Sequence, residues 1–234
     1  IFTGVKRMDF EEAVQAGLIE IMGEETDRAF MKEVMAMVND RESMSKVADT
    51  FKVVYTGSIR LVNNLGKIVE MAEYLQKQGE NKIKFLLYGD GTEREQLMQL
   101  CEQKGLTNIR FPGKVEKKYI PFILSRSDLN INHVKQTGIM RFGCSLNKQF
   151  DYFASGKPVL SDLTVNYDLI ERYGAGVTLP TQDTEEMCRQ VLRFAHMPQE
   201  EYRQICQNAR RAAQDYDYRA LTQRLLQILE DTVK

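Results

Sequence analysis

Between residues 51 and 181 the chain alternates short apolar runs with longer amphipathic ones. Phe51 to Thr56, Ile83 to Tyr88, Ile109 to Phe111, Leu129 to His133, Pro158 to Leu160 and a short run around Val177 are apolar and β-rich, and read as strands. Between them lie helical patterns. The first, Asn64 to Gln78, puts Leu65, Ile68, Val69, Ala72 and Leu75 on one face. Thr92 to Lys104, Tyr119 to Ser125 and Tyr167 to Arg172 follow the same alternation. The strands show little polar alternation of their own, as expected when both faces of a parallel sheet are covered. The pattern predicts an α/β domain: a Rossmann-like parallel sheet with helices on both faces, built from βαβ units.

After Thr181 the chain becomes helical, over Thr184 to Ala195, Glu200 to Gln214 and Tyr218 to Val233. The last of these carries Leu221, Leu225, Ile228 and Leu229 on one side, and suits either docking on a partner domain or covering the sheet edge. Before residue 51 the reading is weaker. Phe10 to Met22 and Asp27 to Val38 have helical composition, interrupted by Gly17 and Gly23. The expected division is a helical connector or remnant over 1–50, a Rossmann-like domain over 51–215 and a packing or crossover helix over 216–234.

The stretch Ser145 to Val159 carries the most chemistry. Leu146, Phe150, Phe153 and Ala154 form its apolar stripe, with Asn147, Lys148, Asp151 and Ser155 on another face. Ser145 suits the N-cap and Gly156 the left-handed C-terminal position. A helix opening with Ser, Asn and Lys offers free N–H groups, the positive end of its dipole and an ammonium, which together suit an anion. Asp151, one turn on, can accept hydrogen bonds from sugar hydroxyls.

Three further loops follow predicted strands, where a parallel sheet binds its ligands. In Tyr55 to Asn64, Gly57 allows close backbone approach and Arg60 can grip a phosphate with two parallel hydrogen bonds. Tyr88-Gly-Asp-Gly has two glycines of a dinucleotide fingerprint without the third. Phe111-Pro-Gly-Lys-Val115 is a tight turn. His133, at a strand end, is a candidate contact for a sugar.

Composition narrows the choice. The 234 residues carry a net charge of −1, which excludes bulk attraction to nucleic acid, so any phosphate binding is local. The spacing of the four cysteines fits neither a disulfide framework nor a zinc site, and a reducing cytoplasm is expected. No apolar run reaches the ~18 residues of a membrane span. Asp215-Tyr-Asp217 has the spacing of a metal motif, but lies between helices and reads as a helix cap.

Phe150-Asp-Tyr-Phe-Ala-Ser-Gly-Lys-Pro-Val159 resembles the donor-site signature of group 1 (family 4) glycosyltransferases of the GT-B fold, and its Ser-x-Asn-Lys lead-in is similar to a bacterial surface-polysaccharide branch. The resemblance implies the donor-binding half of an enzyme that moves a sugar from a nucleotide diphosphate, of UDP or GDP type, to a glycan or lipid-linked acceptor. It also implies retention of configuration, no metal or other cofactor, a separate N-terminal GT-B domain, and a cytoplasmic or peripheral inner-membrane location. Arg60 and Lys148 would be the catalytic cations on the diphosphate. Gly57, Ser145, Asn147, Asp151 and His133 would bind the donor, with Gly89 beside the nucleoside and Val115 at the base. Most members of the family carry a Glu-x7-Glu motif. Here Gly143 stands at the first position and Asp151 at the second, so Asn147, Lys148 and loop N–H groups would replace the first acid. The alternatives are a non-catalytic nucleotide-binding or interaction module and a sugar-nucleotide epimerase.

Overall fold

The structure, a computed structural model, describes residues 50–144 and 146–233. Six parallel strands form one sheet: β1 (Phe51–Thr56), β2 (Ile83–Tyr88), β3 (Ile109–Gly113), β4 (Leu129–Asn132), β5 (Val159–Ser161) and β6 (Gly176–Thr178). Their order is β3-β2-β1-β4-β5-β6, so the direction of winding reverses between β1 and β4. The helices are α1 (Gly66–Lys77), α2 (Arg94–Gln103), α3 (Ile120–Ser125), α4 (Asn147–Ser155), α5 (Leu169–Tyr173), α6 (Thr184–His196), α7 (Gln199–Asp215) and α8 (Tyr218–Val233).

Alternate strand positions feed two cores, which is why the strands read as continuous apolar runs. Val53, Tyr55, Phe85, Leu87, Ile131 and Leu160 pack with α1, α2 and α6. Val54 and Val159 face the other way, against Tyr152 and Phe153 of α4, Leu169 and Ile170 of α5, and Ala209 and Ala212 of α7. The expected inner face of α1 is buried throughout. Its start moves from Asn64 to Gly66, because Asn64 is left-handed (φ 48°) at the end of a 3-10 turn over Leu61–Asn63. Asp168 caps α5, accepting from the N–H of Ile170 at 2.8 Å and of Glu171 at 3.1 Å, so that helix begins two residues after Tyr167.

At the end of the chain one alternative falls away and the expected helix cap is found at Asp217. Leu221, Leu225, Ile228 and Leu229 of α8 are all exposed, so this helix does not cover the sheet edge. Asp217 caps α8, its side chain accepting from the N–H of Arg219 at 2.9 Å, whereas Asp215 belongs to α7 and accepts from the Tyr173 hydroxyl at 2.8 Å. The helices expected over 10–22 and 27–38 lie outside the described residues.

Candidate functional site at the switch point

The loops that follow β1, β2 and β3 are bonded to one another through their backbones. Gly57 N–H donates to Tyr88 O (3.0 Å), Ile59 N–H to Asp90 O (2.9 Å), and Gly89 N–H to Gly113 O (2.8 Å). At Gly89 (φ +143°) a Cβ would stand 1.8 Å from the Gly57 carbonyl oxygen. The neighbouring loop therefore demands this glycine whether or not a ligand binds. Gly57, Gly89 and Asp90 are held by this framework, with Gly57 exposed; Val115, two residues beyond Gly113, is half-buried. Arg60 is exposed, and its side chain has no partner among the described residues.

On the other side of the switch point, side chains make the links. Tyr152 is fully buried in α4, and its hydroxyl accepts from the N–H of Thr56, at the end of β1, at 3.0 Å. The apolar stripe expected for α4 is corrected accordingly. Tyr152 and Phe153 are buried, whereas Ala154 is exposed. The polar residues do not share one face either. Asn147 and Asp151 are exposed, but the Lys148 ammonium sits 4.1 Å above the centre of the Tyr55 ring and donates to the His133 carbonyl at 3.5 Å.

Leu146, not Ser145, occupies the N-cap of α4, in extended conformation and with no side-chain bond to the first-turn N–H groups. Ser145 lies outside the described residues. The first turn holds no acidic residue, so its N–H groups and dipole are unopposed by a local carboxylate. Burial lowers the Lys148 ammonium to a pKa of about 7, against the opposing pull of Asp162 and Cys144. Asp151 is shifted the other way. Although its surface is exposed, desolvation by the surrounding protein raises its carboxyl, while Lys117, from the turn that follows β3, acts against the rise.

His133 is corrected as a substrate contact. It is wholly buried, with Nδ1 2.6 Å from an Asp162 carboxylate oxygen and Nε2 3.1 Å from the Asn64 carbonyl. Both ring nitrogens are thus occupied within the protein. The residue ties the ends of β4 and β5 to the loop that carries Arg60. Tyr55, Tyr152 and Asp162 were not singled out from the sequence. Asp162 follows β5 directly, and its place after a strand was the available signal.

Gly143 has φ 120° and ψ 147°, a backbone region that residues with a Cβ seldom enter. A glutamate there would strain the loop. Among the described residues no group of three or more His, Cys, Asp or Glu side chains is placed to hold a metal ion, and no helix is long and apolar enough to cross a membrane.

Solved structures with the same fold include HepE of Anabaena in complex with UDP and glucose (18% identity, TM-score 0.65, 86% of this chain and 52% of that one). WaaG, a glycosyltransferase involved in lipopolysaccharide biosynthesis, superposes with 19% identity and a TM-score of 0.59 over 80% of this chain and 49% of its own. The pneumococcal O-GlcNAc transferase GtfA, in complex with UDP and GlcNAc, gives 14%, 0.61, 79% and 36%. The chain thus spans about half or less of the length of these proteins. No curated protein matches it in sequence. The sequence model described as glycosyl transferases group 1 matches residues 37–212. With a doubly wound sheet, post-strand loops meeting at its switch point and a family match over most of its length, this chain belongs to the group 1 glycosyl transferases.

Proposed function

We propose that the chain is the donor-binding half of a retaining, metal-independent glycosyltransferase, which moves a hexose from a nucleoside diphosphate to a glycan or lipid-linked acceptor. One observation carries this reading. At the switch point between β1 and β4, α4 packs on the end of β1, with the Lys148 ammonium over Tyr55 and the Tyr152 hydroxyl on the Thr56 N–H, one residue before the Gly57–Arg60 loop. Among the described residues Lys148 makes one long bond to a carbonyl, which leaves donors for phosphate oxygens.

In this reading Arg60, Lys148 and the first-turn N–H groups of α4 stabilise the charge that grows on the leaving diphosphate as the sugar turns oxocarbenium-like. Asn147 and Ser145 add polar groups at the same helix end. Asp151 binds the ribose, and Gly89 and Val115 border the nucleoside. Residues 51–215 form the donor unit, 216–234 the crossover helix and 1–50 the connector. An N-terminal GT-B domain outside this chain brings the acceptor. The exposed leucines of α8 are available to cross to it. The UDP and UDP-glucose complexes of HepE support a nucleotide-sugar donor. The four free cysteines fit a cytoplasmic setting, at the inner face of the membrane if the acceptor is a lipid.

One observation favours a second reading, binding without turnover. Gly143 leaves no carboxylate where most relatives place one near the transferred sugar.

The test is thermal unfolding against UDP, GDP, ADP, CMP and pyrophosphate, with Lys148→Ala and Arg60→Ala alongside. One nucleoside diphosphate should stabilise the parent by about 2.7 kcal/mol at ~100 times its dissociation constant. Each variant should weaken that binding by roughly tenfold or more, the worth of a charge-assisted hydrogen bond. Parent-like binding by both variants would sink the proposed site.

A further inference from the structure

Asp162 is 1% exposed, and so is removed from direct contact with any ligand. One of its oxygens takes the His133 ring nitrogen at 2.6 Å; the other is buried and has no hydrogen-bond partner among the described residues. A buried carboxylate with an unused oxygen is costly to keep, and calls for an account beyond packing. Lys148 has the complementary shortage. Its ammonium has a ring face, one carbonyl at 3.5 Å and, among the described residues, no carboxylate within 4 Å. The groups acting on it come from four sides. Tyr55 lies on β1, the His133 carbonyl follows β4, Cys144 precedes α4, and Asp162 follows β5. Asp151, one turn on in the same helix, is coupled to Lys117 instead.

We propose that Asp162, anchored by His133, is a positioning residue for Lys148: His133 holds Asp162 on its ring and Lys148 on its carbonyl, and the buried carboxylate sets the charge that a diphosphate meets there. The claim rests on the reading of Lys148 as a diphosphate ligand. Burial alone pushes the lysine toward its neutral form, and Asp162 is the largest charge opposing that loss. A carboxylate in direct contact would occupy the ammonium and compete with the ligand. One that does not touch the ammonium and is pinned to a histidine supplies field without occupying the donors.

The test follows Lys148 itself before any ligand is added. In the full chain labelled with 13Cε-lysine, the signal lost in Lys148→Arg identifies the residue, and its titration midpoint is read by NMR. Asp162→Asn should lower the midpoint by about one pH unit. His133→Gln keeps a donor on Asp162 and the carboxylate with it, so the midpoint should stay at or above the parent's. UDP binding is then measured from pH 6 to 9. Asp162→Asn should weaken it by roughly tenfold above the midpoint, recover toward the parent at pH 6, and have no pH-dependent effect in a Lys148→Arg background. An unmoved midpoint in folded Asp162→Asn, a fall in His133→Gln, or an equal loss of UDP binding at every pH overturns the proposal. UDP binding that ignores Lys148→Ala overturns the diphosphate reading instead, and the NMR midpoints still decide whether Asp162 holds the charge.

Discussion

The two halves of the candidate site are built by different means. On the β1, β2 and β3 side the loops are joined backbone to backbone, through the Gly57, Ile59 and Gly89 N–H groups, with a glycine where a Cβ would strike a carbonyl oxygen. On the β4 and β5 side the links run through buried side chains: Tyr152 to Thr56, and His133 to both Asp162 and Asn64. The first construction gives a rigid shape and is nearly indifferent to pH. The second places titratable groups beside Lys148, and makes the charge of the site depend on what is buried near it. A site for a diphosphate can use both: a preset cradle from the backbone and an adjustable charge from side chains.

Breaking each half separately should show the contrast. The largest effect is expected from His133→Ala, which leaves the buried Asp162 carboxylate without its donor and frees the Asn64 carbonyl. Loss of one partner from such a buried pair costs about 3–5 kcal/mol, measurable as a drop in the urea midpoint. Hydrogen exchange should rise near Asn64 while the Gly57 and Ile59 amides stay protected.

Gly89→Ala comes next. Its Cβ would fall 1.8 Å from the Gly57 oxygen, so the two loops must part, at a cost of about 3 kcal/mol. Here protection should fail at Gly57 and Gly89 and persist around His133. If Gly89→Ala is neutral, the backbone framework is not the constraint described above. Smallest is Tyr152→Phe, which deletes the hydroxyl that accepts from Thr56 N–H and keeps the ring, at about 1 kcal/mol. Its exchange signature should be confined to Thr56 and its neighbours. Faster exchange throughout the sheet would instead mean that the ring itself has shifted.

Much of the architecture was open to reading. Strands at Phe51 to Thr56 and Ile83 to Tyr88 stand where the apolar runs put them, and α8 spans Tyr218–Val233 as expected. Element ends were less legible where local chemistry competes. Asn64 takes a left-handed turn instead of opening a helix, and Leu146 rather than Ser145 sits at the cap of α4. The candidate site was legible as a set of loops but not as a set of contacts. Arg60 and Asn147 face solvent, while His133 turns wholly inward. Nothing in the sequence around His133 distinguishes these outcomes, because its fate depends on Asp162, 29 residues away, and on the Asn64 carbonyl.

By itself, then, the sequence determined the alternation of elements, the parallel sheet with two covered faces, and the glycine-bearing loops at the strand ends. Those follow from local periodicity and from the burial that apolar runs demand. Only the tertiary structure decided which polar side chains look outward and which become buried supports. Lys148 owes its ring contact to Tyr55 and its field to Asp162, from two strands that are not neighbours in the sheet. Desolvation and Coulomb forces act through space, and their sum at one ammonium depends on residues brought together only by the strand order.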